Sequence, residues 1–159
     1  MPESDFLKID GIEGECVDDK HKKWIEVVSY SWGVHQSKTA VSGTGKPVAS
    51  KAGFEDLFIT KYVDQATTDI IKKCIIATPL IKEVILHLCI AGETHEPYLI
   101  FTLKNCVISS GSYGGGGDSE PVENLSINYE DITVEYKAYK EGKVAGSKTA
   151  HWNLKENKA

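Results

Sequence analysis

No stretch of this chain approaches the ~20 apolar residues that a membrane-spanning helix requires. The segment Met1-Pro-Glu-Ser-Asp5 is acidic where a secretory signal would be basic, and no apolar core follows it. Synthesis and folding in the cytosol are therefore expected, with no membrane insertion. Basic residues form neither a stripe nor an amphipathic helix, and the formal net charge is -5. That balance argues against a general binder of nucleic acid or anionic membrane. The cysteines, Cys16, Cys74, Cys89 and Cys106, include no Cys-x-x-Cys pair, which disfavours a zinc site. Apolar neighbours around Cys74 and Cys89 predict buried reduced thiols rather than a disulfide.

Motifs for chemistry are equally scarce. Gly43-Thr-Gly-Lys-Pro47 has Ala40 where a phosphate loop needs a first glycine, and Pro47 where Ser or Thr should follow Lys46. Asp18-Asp-Lys-His21 offers metal-ligating side chains, but no second cluster completes a coordination sphere, so a solvated turn is expected. His35, His87, His95 and His151 are scattered, with no Ser or Cys nearby in a nucleophile turn. Asn124-Leu-Ser126 matches a glycosylation acceptor, which has no meaning without a secretory route. The expectation is a protein that is not an enzyme and holds no cofactor or metal.

What the chain does have is the material of one β domain. Its 159 residues are 41% hydrophobic and 26% charged, and a chain of this size buries roughly 70% of its unfolded surface. Strands are predicted over Phe6–Ile9, Trp24–Gln36, Phe54–Tyr62, Glu83–Ala91, Pro97–Ile108 and Asn124–Tyr139, with a further short one around Thr149–Leu154. The inward positions change phase between Leu103 and Cys106 and again near Glu130-Asp131, which predicts bulges and a curled barrel or sandwich. One helix is expected over Asp64–Ala77, capped by Asp64 and stopped by Thr78-Pro79. Residues 38–53 and 109–123, rich in Gly and Ser, are expected as long loops. The segment Trp24–Gln36 stands apart. Strand alternation places Trp24, Val28, Tyr30, Trp32 and Val34 on a bulky core face and Ile25, Val27, Ser29, Ser31, Gly33 and His35 on the other. That second face becomes small and polar along its length, which suits a wall lining a space or meeting a partner.

Several collinear motifs carry a family resemblance. Phe6-Leu-Lys-Ile-Asp-Gly-Ile-Glu-Gly-Glu15, His21-Lys-Lys-Trp-Ile-Glu-Val-Val-Ser-Tyr-Ser-Trp-Gly-Val-His-Gln36, Asp56-Leu-Phe-Ile-Thr-Lys-Tyr-Val-Asp64, Tyr98-Leu-Ile-Phe-Thr-Leu-Lys104, Glu123-Asn-Leu-Ser-Ile-Asn-Tyr129 and His151-Trp-Asn-Leu-Lys-Glu-Asn157 together resemble the haemolysin-coregulated protein (Hcp) family. The match spans almost the whole chain in order. Members are inner-tube subunits of bacterial type VI secretion systems. The resemblance implies a two-sheet antiparallel β-barrel with one flanking helix, six copies closing into a ring by heterologous contacts. It further implies rings stacked inside a contractile sheath, a trimeric valine-glycine-repeat spike at the tip, small effector proteins carried in the channel, and ejection without a signal peptide. The chain ends just after Asn157, so no C-terminal toxin extension is expected.

On that resemblance Ser29 and Ser31 are expected to line the channel, where short hydroxyl side chains leave the bore open. Thr44, Gly45, Lys46, Pro47 and Val48 lie in the loop that resembles the family's ring-stacking loop. The chain departs from many relatives at Thr78-Pro79-Leu80, where a Gly-Lys-His-like turn is usual. The other class compatible with a β-barrel is a small-molecule carrier, which needs an apolar pocket inside one subunit.

Overall fold

A computed structural model describes residues 4–36, 38–40, 47–49, 51–92 and 94–159, the two short segments 38–40 and 47–49 by their backbone alone. In chain order the elements are β1 (Ser4–Ile9), β2 (Ile25–Val27), β3 (Ser29–Ser31), β4 (Val34–His35), β5 (Lys38–Ala40), β6 (Pro47–Ala49), β7 (Gly53–Phe54), β8 (Leu57–Tyr62), α1 (Thr67–Ile75), β9 (Ile81–Cys89), β10 (Pro97–Gly116), β11 (Ser119–Asn128), β12 (Asp131–Lys140) and β13 (Lys143–Asn153). The main path runs β2-β1-β9-β10-β11-β8-β3, with β12 and β13 branching from β10. All of its pairings are antiparallel. The ends of the path, β2 and β3, are neighbours in sequence but share no ladder. The expected barrel is thus not closed by hydrogen bonds. The chain itself spans the gap at Val28, whose N–H donates to the Thr60 carbonyl at 2.8 Å.

That crossing explains why Trp24–Gln36 is not one strand with one core face. β2 pairs with β1 and β3 with β8, so the chain changes partners at Val28 and the inward set is reset there. Ile25 becomes fully buried, whereas Val28, Tyr30 and Val34 stay 51%, 37% and 53% exposed. Trp32 still reaches inward. Its Nε1–H donates to the Tyr129 hydroxyl at 2.7 Å, and its ring lies 5.7 Å from that of Phe101.

The two expected phase shifts are present, and they belong to one corner. β10 pairs with β12 through Lys104↔Asp131 and with β11 from Val107↔Asn128, so both long strands turn together from one sheet into the other. Leu103 and Cys106 are both buried, as are Tyr129 and Ile132. Asn105 takes φ 54° at the bend, a left-handed conformation that asparagine tolerates, and its side-chain amide donates to the Glu130 carboxylate at 3.2 Å. In the β10/β11 ladder the irregularities fall farther along, at Ile108/Ser110 and Gly114/Gly116, with others at Pro97/Leu99 and Ala138/Tyr139.

Several expected boundaries move. Residues 109–123 are not a loop but the arms of the β10/β11 hairpin, because glycine and serine backbones complete the ladder although they leave no hydrophobic period. Residues 38–53 likewise contain the paired strands β5 and β6. The helix is shorter than predicted. Asp64 does not cap it; its carboxylate accepts from the N–H of Ala66 and from Lys61, forming a turn before α1, and Ala66 is the first flanking residue. Ala66 and Ile70 are buried in the core, which packs α1 against the sheet. Thr149–Leu154 belongs to the longer β13, paired with β12.

Leu7, Ile25, Ile59, Leu86, Leu103 and Leu125 meet in the main core, each no more than 2% exposed. Burying one such side chain contributes roughly 1.5–3 kcal/mol. Beneath β8, Lys61 and Glu123 are both wholly buried and stand directly opposite in the β8/β11 ladder, with Lys61 Nζ 2.6 Å from Glu123 Oε1 and 2.9 Å from Asp64 Oδ1. A second cluster joins Phe6, Cys16, Trp24 and Cys89. There the His21 ring stacks on Phe6 at 4.2 Å, with Nδ1 2.7 Å from Asp18 Oδ2 and Nε2 3.0 Å from His87 Nδ1. His95 Nδ1 lies 2.6 Å from the other Asp18 oxygen.

Lys61→Met strands the Glu123 carboxylate in the interior and is expected to cost about 3–5 kcal/mol, most of it recovered in Lys61→Met/Glu123→Leu; urea unfolding of both variants checks this. The histidine cluster makes stability fall in acid. Burial, then the charges of His21 and Lys137, hold the His87 imidazole down from 6.5 to about 4. Burial raises Asp18, but hydrogen bonds from His95 and His21 outweigh it and bring the carboxyl down from 3.8 to about 2. Both folded-state values lie below the unfolded ones. The associated stability is complete above pH 6.5, is lost through His87 as pH falls to about 4, and through Asp18 between about 4 and about 2. In urea titrations across pH, His87→Gln is expected to flatten the upper part of this loss and leave the lower part.

Candidate functional site

Alternation along β8 decides which side chains face out. Leu57, Ile59 and Lys61 are buried, so Phe58, Thr60 and Tyr62 form the outer row. Edge strand β3 lays Ser31 opposite Phe58 and Ser29 opposite Thr60, both serines exposed. On the other flank β11 sets Ser126 opposite Phe58, Asn124 opposite Thr60 and Val122 opposite Tyr62. Thr60 Oγ1 donates to Asn124 Oδ1 at 2.7 Å, and the Ser126 hydroxyl lies 2.7 Å from that of Ser109 and 2.5 Å from that of Ser110. The result is a face of hydroxyls and amides tied together by cross-strand hydrogen bonds, with Ser126 buried in it and two exposed aromatic rings set beside them.

Ser29 and Ser31 are thus brought together on one outward face. Pro47 and Val48 lie in β6, paired with Ala40 and Thr39 of β5. Thr44, Gly45 and Lys46 lie outside the described residues. Thr78-Pro79-Leu80 forms the turn after α1, where the Pro79 carbonyl accepts from Lys73 Nζ at 2.5 Å. Phe58 and Tyr62 were missed in the sequence because Leu57–Tyr62 reads as nearly continuous apolar residues. The signal available was the parity of Lys61, and it misleads, since that lysine faces the interior.

His21 and His95 meet on Asp18 and His87 joins them through His21, while the neighbouring Cys89 is fully buried and its thiol is pushed up to about 12 by burial. A thiol so held is a packing group rather than a nucleophile. His35 packs on Gly53, where a Cβ would come within 2.3 Å of the ring, and His151 Nε2 contacts Asp131 Oδ2 at 2.7 Å. Cys16, Cys89 and Cys106 are buried free thiols, and Cys74 is half-buried. Among the described residues no three His, Cys, Asp or Glu side chains are placed to hold a metal ion, and no helix is long and apolar enough to cross a membrane.

Residues 6–136 match the family described as type VI secretion system effector, Hcp. A protein of Pseudomonas aeruginosa named hcp1 is 34% identical over 155 residues, covering 96% of this chain and 95% of the relative. Among solved structures, Hcp1 from Salmonella typhimurium superposes with a TM-score of 0.81 at 32% identity, over 99% of both chains. A type VI secretion system effector from Yersinia pestis gives 0.77 at 26% identity, over 94% of this chain and 98% of that one. These likenesses run through both sheets and α1 and leave the small-molecule carrier unsupported. The chain belongs to the Hcp family of type VI secretion proteins.

Proposed function

We propose that six copies of this chain close head-to-tail into a ring whose bore is lined by Ser29, Ser31 and the outer row of β8. As a member of the Hcp family the chain is a structural subunit of the type VI secretion tube and is exported by that system. Stacked rings travel inside a contractile sheath behind a trimeric valine-glycine-repeat spike, and small effector proteins ride in the bore. The observation that carries the lining assignment is the outward row of short hydroxyls on β3, next to the β8/β11 ladder, in a position where a lone globular domain ordinarily displays charge. A bore needs short neutral side chains that leave room and offer hydrogen bonds to varied cargo.

Ring closure requires two different complementary surfaces on each subunit. β13 supplies one: among the described residues its only strand partner is β12, and apart from the bridge between Asn153 and Lys158 its outer backbone edge is open to a neighbour. Lys143 and Lys148 along it discourage indiscriminate edge pairing. The segment Thr44–Val48 is assigned to contacts between stacked rings.

Light scattering and negative-stain imaging of the purified chain test the assembly, with a six-membered ring expected and a monomer overturning it. Ser31→Trp is expected to keep the ring and lower cargo retention; full co-purification of effector with well-formed Ser31→Trp rings would sink the lining assignment. Deleting Thr44–Val48 is expected to leave single rings that stack and are secreted poorly. Normal tubes from that deletion would show that the stacking contact lies elsewhere.

A further inference from the structure

Alternation along β1 and β9 leaves a row of side chains pointing away from the main core. Leu7 and Leu86 are inward partners in the β1/β9 ladder, so the next pair, Phe6 and His87, faces out, with Cys89 two residues along. The segment Gly14–Trp24 lies over this row. Among the described residues its backbone hydrogen bonds stay within it, from Gly14 to Lys23, Cys16 to Trp24 and Lys23 to Cys16, so it holds its own shape without a ladder to the strands beneath. One end is tethered by Gln65, whose side-chain amide donates to the Gly14 carbonyl at 2.6 Å and whose N–H donates to Glu15 Oε1 at 3.0 Å. Beyond the tether, only Cys16 and His21 of Glu15–Lys23 are buried. His21 is therefore the latch, stacked on Phe6 and joined to His87 and Asp18 through its two ring nitrogens.

The contacts around the latch respond to acid in opposite ways. Asp18 lies against both His21 Nδ1 and His95 Nδ1, and a proton gained by either ring strengthens its attraction to the carboxylate. Lys20 and Glu96 form an exposed pair, which adds little. The His21–His87 contact is the exception, because the pair can carry one charge but not two: once both rings are protonated, N–H faces N–H at 3.0 Å. The groups around His87 do not favour its charge. β1 sets Phe6 opposite it and Lys8 two residues along, β10 sets Ile100 opposite, and the Trp24 ring lies 4.6 Å away. Glu26 of β2 is one strand farther, opposite Phe6, and Lys137 of β12, itself 3.9 Å from Glu135, repels a proton on the ring.

We propose that Gly14–Trp24 is an acid-released cover: when His21 and His87 both carry a proton, the segment lifts about its Gln65 tether and uncovers Phe6 and Cys89 while both sheets stay paired. So few buried side chains hold the segment that opening is local rather than global. The uncovered strip is apolar and lies on a different sheet face from Ser29 and Ser31. A subunit exported from the cytosol thereby changes its surface with the pH that it meets.

The test uses the full chain and dithiodipyridine, which modifies thiols in acid as well as at neutral pH. The labelling rate of each cysteine is read by mass spectrometry and divided by that of glutathione at the same pH. Cys106, buried in the main core, reports global unfolding, and Cys89 reports the cover. From pH 6.5 down to about 4, the relative rate at Cys89 is expected to rise about tenfold per pH unit and to exceed that at Cys106 by about a hundredfold. His87→Gln, whose amide can pair with His21 but gains no proton, should hold Cys89 near its neutral-pH rate over the same range. His87→Asn takes its place if His87→Gln exposes Cys106 at neutral pH. Equal rates at Cys89 and Cys106 throughout would show that acid only unfolds the whole chain, and would overturn the proposal. A Cys89 rate that ignores pH, or that rises equally in the His87 variants, overturns it too.

Discussion

The outward face depends on a charge pair that points inward. Lys61 and Glu123 lie opposite one another in the β8/β11 ladder, both without solvent access, and Asp64 and Thr67 at the start of α1 close the polar set around them. A slip of one residue in β8 would turn Lys61 to solvent, strand Glu123 in the core, and carry Leu57 and Ile59 outward with it. Period-two alternation makes these consequences inseparable. The pair adds little to net stability over an apolar replacement, because desolvation offsets much of its attraction. What it supplies is register. With Lys61 held inward, Phe58, Thr60 and Tyr62 have no alternative to facing out, and β3 must set Ser29 and Ser31 beside them.

The corners serve the same end on a larger scale. A strand that passes from one sheet into another must exchange its inward and outward sets, or half its apolar residues would meet water. Val28 makes the exchange on the short side by moving the chain from β1 to β8. Asn105 and Glu130 make it on the long side, where β10 bends together with the β11–β12 segment. Because the two long strands bend in one register, the core remains continuous from Phe101 and Leu103 to Ile108 and Ile127. The hydroxyl-bearing sheet therefore sits on a rigid backing, and its side chains are placed by the ladder rather than by a loop.

Much of this was legible in the residues, and the failures have physical causes. Alternation and β-branched content located β1, β8, β9 and the first half of β10, and the changes of phase near residues 103–106 and 130 marked the corner. Their form was not legible, since a bulge and a corner leave the same trace in a hydrophobic pattern. The Gly114–Gly117 stretch reads as a loop because glycine has no side chain from which a period can be detected, yet Gly114 and Gly116 pair across the hairpin. Trp24–Gln36 reads as one strand because nothing in its composition announces a change of partner at Val28. Ser29 and Ser31 stand out as small residues among large ones, whereas Phe58 and Tyr62 disappear into an apolar run whose one charged member, Lys61, is buried.

Single exposed apolar residues are ordinary on any protein surface, so exposure alone assigns no role to Phe58 or Tyr62. Val17 is 87% exposed and Ile75 76%, more than either ring, and neither stands in a ladder with neutral neighbours on both sides. The distinction lies in placement. The two rings stand on a central strand, Phe58 between Ser31 of edge strand β3 and Ser126 of β11, Tyr62 beside Val122, with Asn124 of β11 engaged by Thr60 and Ser126 by Ser110. Any change of register that hid them would bring the Lys61–Glu123 charges out of their partnership. The sheet cannot bury these rings by its own rearrangement, and only something laid against its outer face can remove them from water.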